Sequence, residues 1–140
     1  MDAYIEFTSQ PICIPSAHSA TRELGALVEF HGIVRETEHD LAIEGLHYEA
    51  HEPMARRHIQ RIIDQLYISW PCQAVWFIHR LGWVPVGETS LYIRVHASHR
   101  QQAFRFCMDL IDLLKKDVPI WNLTQPSPPG AEAMSPSGSK

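Results

Sequence analysis

The chain has 140 residues, a hydrophobic share of 45% and a charged share of 20%, which are typical of one globular domain and exclude a fibrous or wholly disordered protein. Its formal net charge of -4 at pH 7 gives no general attraction to nucleic acids or acidic membranes, so any anion site must be local. No apolar run approaches the roughly 20 residues that span a bilayer, and the N-terminus lacks a secretory signal, so we expect a cytoplasmic protein.

The first part of the chain predicts strands. Residues 4–14 alternate loosely and contain Pro11, which is typical of one or two short edge strands. Residues 25–35 place apolar side chains on one face and polar side chains on the other, which predicts a half-buried strand. The same alternation recurs in residues 43–50, and we expect these two strands to pair as a hairpin.

Two helices are predicted. Apolar residues from Ala55 to Trp70 recur at helical spacing after Pro53, which is tolerated in a first helical turn, and Pro71 ends this helix. The second helix is predicted over residues 100–116. Its expected buried stripe consists of Ala103, Phe104, Cys107, Ile111 and Leu114.

A second hairpin is predicted between the helices. Residues 74–80 and 89–97 are rich in β-branched and aromatic side chains, and residues 82–87 contain the glycines and proline of a connecting turn region. Together these elements predict one α+β domain over residues 1–123. Residues 124–140 are rich in Pro, Ser and Gly, which predicts a flexible tail.

The junction before the second helix reads Ser98-His99-Arg100-Gln101. It fits the S-x-x-Q capping box, in which Ser98 caps the helix and Gln101 reaches back. Unpaired backbone N–H groups and the positive end of the helix dipole gather in the same turn as His99 and Arg100. This combination favours binding of a phosphate or carboxylate, although two solvated side chains on an exposed turn would give the same pattern.

Three other cations are candidates for binding or catalysis. Arg35 ends a predicted strand, where its guanidinium can bind a phosphate or pair with Glu36 or Glu38. Lys115 and Lys116 close the second helix, where the dipole favours cations for structural reasons alone. A desolvated lysine can also act as an acid, base or nucleophile, and spacing does not decide between these roles.

Nine histidines and three cysteines raise the question of a metal site. The candidate ligand sets are His96, His99 and Cys107, or His47, His51 and Glu52. Neither set has the spacing of a known metal motif, so we expect no metal. Cys107 falls on the predicted apolar stripe, and we interpret it as a core residue rather than a sulfur-carrying nucleophile.

A series of short motifs follows in a specific order. The motifs are Gly25-Ala26-Leu27-Val28-Glu29-Phe30-His31-Gly32-Ile33-Val34-Arg35, Leu46-His47-Tyr48-Glu49-Ala50, Pro53-Met54-Ala55, His79-Arg80-Leu81-Gly82, Gly87-Glu88, Ser98-His99-Arg100, Ala103-Phe104, Asp112-Leu113-Leu114-Lys115 and Pro119-Ile120-Trp121. In order and spacing they resemble the large, catalytic subunit of molybdopterin synthase. The resemblance covers the chain from about Gly25 to Trp121.

The resemblance implies an α/β-hammerhead fold and a sulfurtransferase of molybdenum cofactor biosynthesis. Such a subunit forms a homodimer within a heterotetramer, with a small ubiquitin-like sulfur-carrier subunit docked at each end. Sulfur from the carrier's C-terminal Gly-Gly thiocarboxylate passes to cyclic pyranopterin monophosphate, which gives the dithiolene of molybdopterin. The resemblance implies no resident cofactor, because the carrier subunit supplies the sulfur.

Residue roles are also implied by the resemblance. Arg35, His99 and Arg100 match positions that bind the substrate's phosphate or neighbouring anionic groups, and Lys115 matches a catalytic lysine. The family usually has a second lysine directly after Pro-x-Trp, where this chain has Asn122. Lys116 is the candidate replacement, although it points about 100° around the helix from Lys115. A catalytically weakened homologue that binds the carrier as a scaffold or regulator is therefore the alternative function.

Overall fold

The computed structural model describes residues 1–16 and 22–122, so the predicted tail, residues 124–140, lies outside the described residues. Within these ranges the chain forms nine strands and two helices. They are β1 (Asp2–Thr8), β2 (Ala26–Ile33), β3 (Thr37–Glu38), β4 (Leu41–Ala42), β5 (Gly45–Ala50), α1 (Glu52–Ser69), β6 (Ala74–Arg80), β7 (Gly82–Pro85), β8 (Thr89–Ala97), α2 (Arg100–Asp117) and β9 (Ile120–Asn122). The predicted α+β fold is confirmed.

The main sheet contains four strands in the order β1-β6-β8-β2. β6 and β8 pair antiparallel, which confirms the second predicted hairpin. β1 joins β6 in parallel at the edge of the sheet, which confirms an edge strand near the N-terminus. A parallel pair needs a crossover connection, and the chain between β1 and β6 provides it.

Both helices pack against one face of the main sheet. Successive strand residues point to opposite faces, so Phe77 of β6 and Ile93 and Val95 of β8 share this face and are completely buried. They pack with Ala55, Ile59, Ile63 and Leu66 of α1 and with Ala103, Phe106, Cys107 and Leu110 of α2. Because burial of one large apolar side chain contributes about 1.5–3 kcal/mol, this contact fixes both helices on the sheet.

The start of α1 and the C-terminal ends of both helices agree with the sequence signals. α1 has Pro53 in its first turn, and the Trp70 N–H donates to the Leu66 carbonyl at 2.8 Å where the helix ends before Pro71. α2 ends before Pro119. No helix among the described residues combines the length and hydrophobicity needed to cross a membrane.

The buried stripe of α2 differs from the prediction. Phe104 is 55% exposed, whereas Phe106 and Leu110 are completely buried. At about 100° per residue, Phe106 and Leu110 fall on the same side as Ala103 and Cys107, which face the sheet. The prediction that Phe104 is a core residue was therefore wrong. Its apolar ring lies on the outer surface of the helix.

A smaller sheet contains three strands in the order β7-β5-β9. The predicted hairpin between residues 25–35 and 43–50 is wrong, because β2 pairs with β8 while β5 pairs with β7 and β9. The predicted turn region likewise contains strand β7. Alternation identifies side chains that share a face, but it does not identify the neighbouring strand.

A tight hairpin separates β2 from β5. β3 and β4 pair antiparallel, and the two residues between them, His39 and Asp40, have φ values of 52° and 66°. Positive φ at both central residues is typical of a type I′ turn. The chain is thereby redirected from the main sheet into the smaller sheet.

The other face of the main sheet carries a buried polar cluster. The Arg94 guanidinium is completely buried, and it donates to the Tyr92 hydroxyl at 2.8 Å and to the backbone carbonyls of Pro15 and Ser16. The Tyr92 hydroxyl in turn donates to Glu29. A buried charge is costly without such partners, so the cluster ties the segment after β1 to the sheet.

Candidate functional site

A cavity of about 550 Å³ lies beside the C-terminal end of α2. Its volume is within the range of small-molecule pockets. Its lining residues are Phe30, Gly32, Ile33, Val34, Arg35, Glu38, Leu46, Tyr48, His79, Ser90, Leu91, Ile111, Leu114, Lys115, Ile120, Trp121 and Asn122. We call it the Lys115 cavity, and both sheets and α2 contribute to its wall.

The Lys115 cavity brings together two of the predicted site residues, Arg35 and Lys115. Arg35 follows buried Val34, whose N–H donates to the Glu88 carbonyl at 3.1 Å and whose carbonyl accepts from the Gly87 N–H at 2.8 Å. Lys115 lies in the last turn of α2. Both side chains are exposed, and together they create positive potential on an otherwise acidic protein.

Strand β9 places Asn122 in the same cavity. Asn122 pairs with Tyr48 of β5 and lines the wall, where its carboxamide is neutral. Lys116 is exposed and is not among the described residues that line the cavity. Consecutive helical residues point about 100° apart, so the geometry favours Lys115 over Lys116 as a residue of this cavity.

Two polar residues of the inner wall, Tyr48 and His79, were not identified as site residues from the sequence. Their rings meet edge to face, with centroids 5.0 Å apart. Burial raises the pKa of Tyr48 and lowers that of His79, so both side chains are uncharged near neutral pH. Their only sequence signal was membership of the motif stretches, because alternation marked Tyr48 as an ordinary inward-facing residue.

The N-terminal end of α2 carries the other two predicted residues. His99 and Arg100 are exposed and line a shallow depression with Gln101, Gln102 and Phe104. His99 is the N-cap residue, and no side chain caps the helix. The His99 side chain thus does not satisfy the first-turn N–H groups, and a helix start of this kind suits an anion.

The predicted capping box is wrong. Ser98 precedes the N-cap, and its hydroxyl is bonded instead to Gln73 Nε2 at 2.7 Å. Gln73 also donates to the Glu23 carbonyl at 3.3 Å, and the two contacts hold the chain just before His99. The S-x-x-Q pattern could not reveal that Gln73 binds the Ser98 hydroxyl, because Gln73 is distant in the sequence.

One chain does not bring His99 and Arg100 to the Lys115 cavity. Arg100 and Lys115 are fifteen positions apart on α2, which corresponds to about 22 Å along the axis and about 60° around it. They lie on one side of the helix but in two different pockets. Within one chain, the predicted site residues are therefore divided between two pockets. Exposed Phe104 and Met108 lie between the two ends.

The candidate metal ligands are dispersed. The described residues contain no group of three or more His, Cys, Asp or Glu side chains that could hold a metal ion. Cys107 is 4% exposed, and burial raises the pKa of its thiol to about 11. Its interpretation as a core residue is confirmed, because a buried neutral thiol is a poor nucleophile.

Comparison with known families finds one match over most of the chain. The family model described as MoaE protein matches residues 7–117. This range includes Arg35, both α2 ends and His79, whereas Asn122 lies just beyond it.

Two curated relatives and one solved structure are similar. The molybdopterin synthase catalytic subunit of Arabidopsis thaliana is 37% identical over 118 residues, which cover 84% of this chain and 54% of the relative; this chain thus spans about half of its length. The protein of the same name from Thermoplasma volcanium is 33% identical, with 86% of this chain and 90% of the relative covered. The crystal structure of molybdopterin synthase from Staphylococcus aureus has a TM-score of 0.74 at 30% identity, covering 83% of this chain and 86% of that one.

Proposed function

Because this chain belongs to the MoaE protein family, we propose that it is the catalytic subunit of a molybdopterin synthase. It transfers sulfur from the C-terminal thiocarboxylate of a small ubiquitin-like carrier to cyclic pyranopterin monophosphate, which forms the dithiolene of molybdopterin. The names of the relatives support this assignment. The observation that carries it is the Lys115 cavity, where two cations border a space large enough for a small molecule.

The positive charges of Arg35 and Lys115 define the roles that we propose for these two residues. Arg35 offers a planar pair of donors to an anionic group of the substrate. Lys115 stabilises negative charge that develops as sulfur attacks and the carboxylate of the carrier leaves, or it transfers a proton in that step. Holding the reacting carbon beside the thiocarboxylate lowers the barrier further through proximity.

A second copy of the chain supplies His99 and Arg100 to this site. The two ends of α2 are about 22 Å apart, too far for one phosphate to contact both within a chain. If two α2 helices cross antiparallel about a two-fold axis near residue 107, His99 of one copy faces Lys115 of the other, because each lies about 12 Å from the axis. Phe104 and Met108, 55% and 57% exposed, provide the apolar contact at the crossing.

Subunit complementation tests this arrangement. If both residues serve one site, Lys115→Ala homodimers have little turnover, and Arg100→Ala homodimers have little activity when cyclic pyranopterin monophosphate is kept well below their weakened dissociation constant. Mixing them under conditions of subunit exchange creates heterodimers with one intact site and one doubly altered site. We expect recovery of about a quarter of wild-type activity, because half of the dimers are mixed and half of their sites are intact. Heterodimers that form without recovering activity would contradict the shared site.

The position of the interface has its own test. Phe104→Glu changes an exposed residue, so the monomer should keep its fold while self-association weakens, as measured by analytical ultracentrifugation. Arg105→Gln is the matched control on the same helix, because it also lowers the net charge by one, at an exposed position about 100° further around. Equal dimer dissociation constants for the two variants would exclude the Phe104 face as the contact.

The activity itself is tested with purified components. The chain is mixed with thiocarboxylated carrier and cyclic pyranopterin monophosphate, and dithiolene formation is measured against a control carrier that ends in an ordinary carboxylate. Product that depends on the thiocarboxylate supports the enzyme.

A second candidate function is a weakened homologue that binds the carrier as a scaffold or regulator. The observation that favours it is Asn122 in the Lys115 cavity, where the family usually has a lysine. A stable complex with the carrier and no product in the same assay would support this alternative.

A further inference from the structure

The inner wall of the Lys115 cavity contains a histidine with no assigned role. His79 follows Val75 and Phe77 on the inward face of β6, and its side chain is 5% exposed. It lines the cavity together with Tyr48 and Ser90. A buried polar ring in the wall of a ligand-sized cavity is a candidate for determining ligand specificity.

The hydrogen bonding of His79 fixes its tautomer. Its Nδ1 lies 2.8 Å from the backbone carbonyl oxygen of Arg80. A carbonyl oxygen only accepts, so Nδ1 carries the proton. Burial lowers the pKa of His79, which keeps the ring neutral near pH 7. The other ring nitrogen, Nε2, is consequently an acceptor without a proton.

Neighbouring rings hold this orientation. The Tyr48 ring meets the His79 ring at 5.0 Å and 69°, and the Phe77 ring lies 6.4 Å away at 38°. A flip of the imidazole would also lose the bond to the Arg80 carbonyl. The acceptor is therefore preorganised before any ligand arrives.

Tyr48 lines the same wall. Burial raises the pKa of Tyr48, and its hydrogen bond with Ser90 opposes that rise. The Ser90 hydroxyl also donates to the Gly32 carbonyl at 3.2 Å. His79 and Tyr48 are thus neutral polar groups of the wall, while Arg35 and Lys115 offer positive charge.

We infer that His79 is a specificity-determining residue whose Nε2 accepts a hydrogen bond from an N–H group of a bound nitrogen heterocycle. This inference rests on the proposed function, in which the ligand is a pterin precursor with ring and amino N–H donors and an anionic phosphate. The donor-bearing end lies against His79, and the anionic end lies toward the cations. A ligand with only acceptors at its inner end would leave Nε2 unpaired, which is costly in a buried site.

Two substitutions separate the two ring nitrogens. His79→Asn keeps a side-chain N–H near the position of Nδ1 but has nothing at the position of Nε2. His79→Gln reaches the position of Nε2 with an amide oxygen that can accept. We expect His79→Asn to raise KM for cyclic pyranopterin monophosphate about tenfold, the loss typical of one hydrogen bond in a buried site, while KM for the thiocarboxylated carrier stays constant. His79→Gln should recover most of the loss.

A spectroscopic measurement is independent of activity. In the free wild-type protein, ¹⁵N NMR of the His79 ring should show a protonated Nδ1 and an unprotonated Nε2, and substrate binding should shift the Nε2 resonance most. An Nε2-protonated tautomer would overturn the inference. So would a His79→Asn variant with wild-type KM, or equal losses in folded Asn and Gln variants. An inactive wild-type protein would instead contradict the proposed function, and the tautomer would still be decided by NMR.

Discussion

The two ends of α2 present positively charged side chains in different surroundings. At the C-terminal end, one chain forms a cavity that Lys115 lines together with Arg35, half-buried Tyr48 and buried His79. At the N-terminal end, His99 and Arg100 lie on an open turn with free backbone N–H groups. The difference teaches that one chain walls a small-molecule cavity at one end of α2 but leaves the cations at the other end on an open surface, where the proposed second copy would complete a site.

The helix dipole makes the two ends unequal as functional signals. Lys115 at the C-terminal end is favoured by the dipole, so its presence there has a structural explanation. His99 and Arg100 at the N-terminal end oppose the dipole, and no acidic residue occurs in the first turn of α2 to balance them. Their cost is offset when an anion binds, which makes the N-terminal pair the stronger sign of a ligand.

Removal of Lys115 should have the largest effect. Lys115→Ala should lower turnover roughly 100- to 10,000-fold, as expected for loss of an acid–base or charge-stabilising group, while carrier binding stays near wild type. Lys116→Ala is the matched control, because Lys116 is also exposed near the same helix end but lies outside the described cavity wall. Single-turnover rates and carrier dissociation constants provide both measurements. Equal losses of turnover in the two variants would contradict a catalytic role specific to Lys115.

The other end should respond through affinity. Arg100→Ala should weaken binding of cyclic pyranopterin monophosphate by about 1.5–3 kcal/mol, the value for a hydrogen bond to a charged group. Calorimetric titration measures it. Arg57→Ala, an exposed arginine on α1, controls for the loss of one positive charge from the whole protein. If Arg57→Ala weakened binding as much as Arg100→Ala, the effect would reflect net charge rather than a site.

The sequence predicted the secondary-structure elements better than it predicted how they pack together. Periodicity located both helices and the β6–β8 hairpin, because each pattern belongs to one continuous segment. Periodicity wrongly predicted that β5 pairs with β2. The pairing of a strand depends on contacts between distant segments, which periodicity does not report. Periodicity likewise placed Phe104 in the core instead of Phe106, since both are phenylalanines near the same helical stripe.

The candidate site shows the same division. The charged residues were identified from local patterns and family motifs. Tyr48 and His79 were not identified, because their place in the cavity wall and the contact of His79 with the Arg80 carbonyl become visible only after folding. The separation of Arg100 from Lys115 was missed as well, although the length of a helix can be calculated from its residue count.

Restoring a lysine at the C-terminal end should sharpen the contrast. Asn122→Lys adds a third cation to the Lys115 cavity, beside Arg35 and Lys115, where the proposed function requires negative charge to be stabilised. We expect about a tenfold gain in turnover, which corresponds to about 1.4 kcal/mol of added transition-state stabilisation. Asn122→Met is the control, because it has similar length without charge. A gain shared by both variants would be due to packing, and no gain with lysine would show that Asn122 does not limit the reaction.

The smallest predicted effect concerns how the stability of the protein depends on pH through its histidines. Burial lowers the pKa of His79 and, with a contribution from Arg94, that of His96. The unfolded chain, with a histidine pKa of about 6.5, therefore binds more protons than the folded protein near that pH, so stability rises with pH. The stabilisation is complete above the unfolded pKa and is lost as pH falls through the lower folded values.

Thermal unfolding between about pH 7.5 and pH 5.5 measures this dependence while most carboxylates stay ionised. The wild-type Tm should fall as the solution is acidified, and His79→Asn should make the decline shallower because one buried imidazole is gone. His99→Asn, which removes an exposed imidazole from the other end of α2, is the matched control for the loss of one histidine. A folded His79→Asn variant that keeps the wild-type decline, or that matches His99→Asn, would contradict the contribution of the buried His79 imidazole.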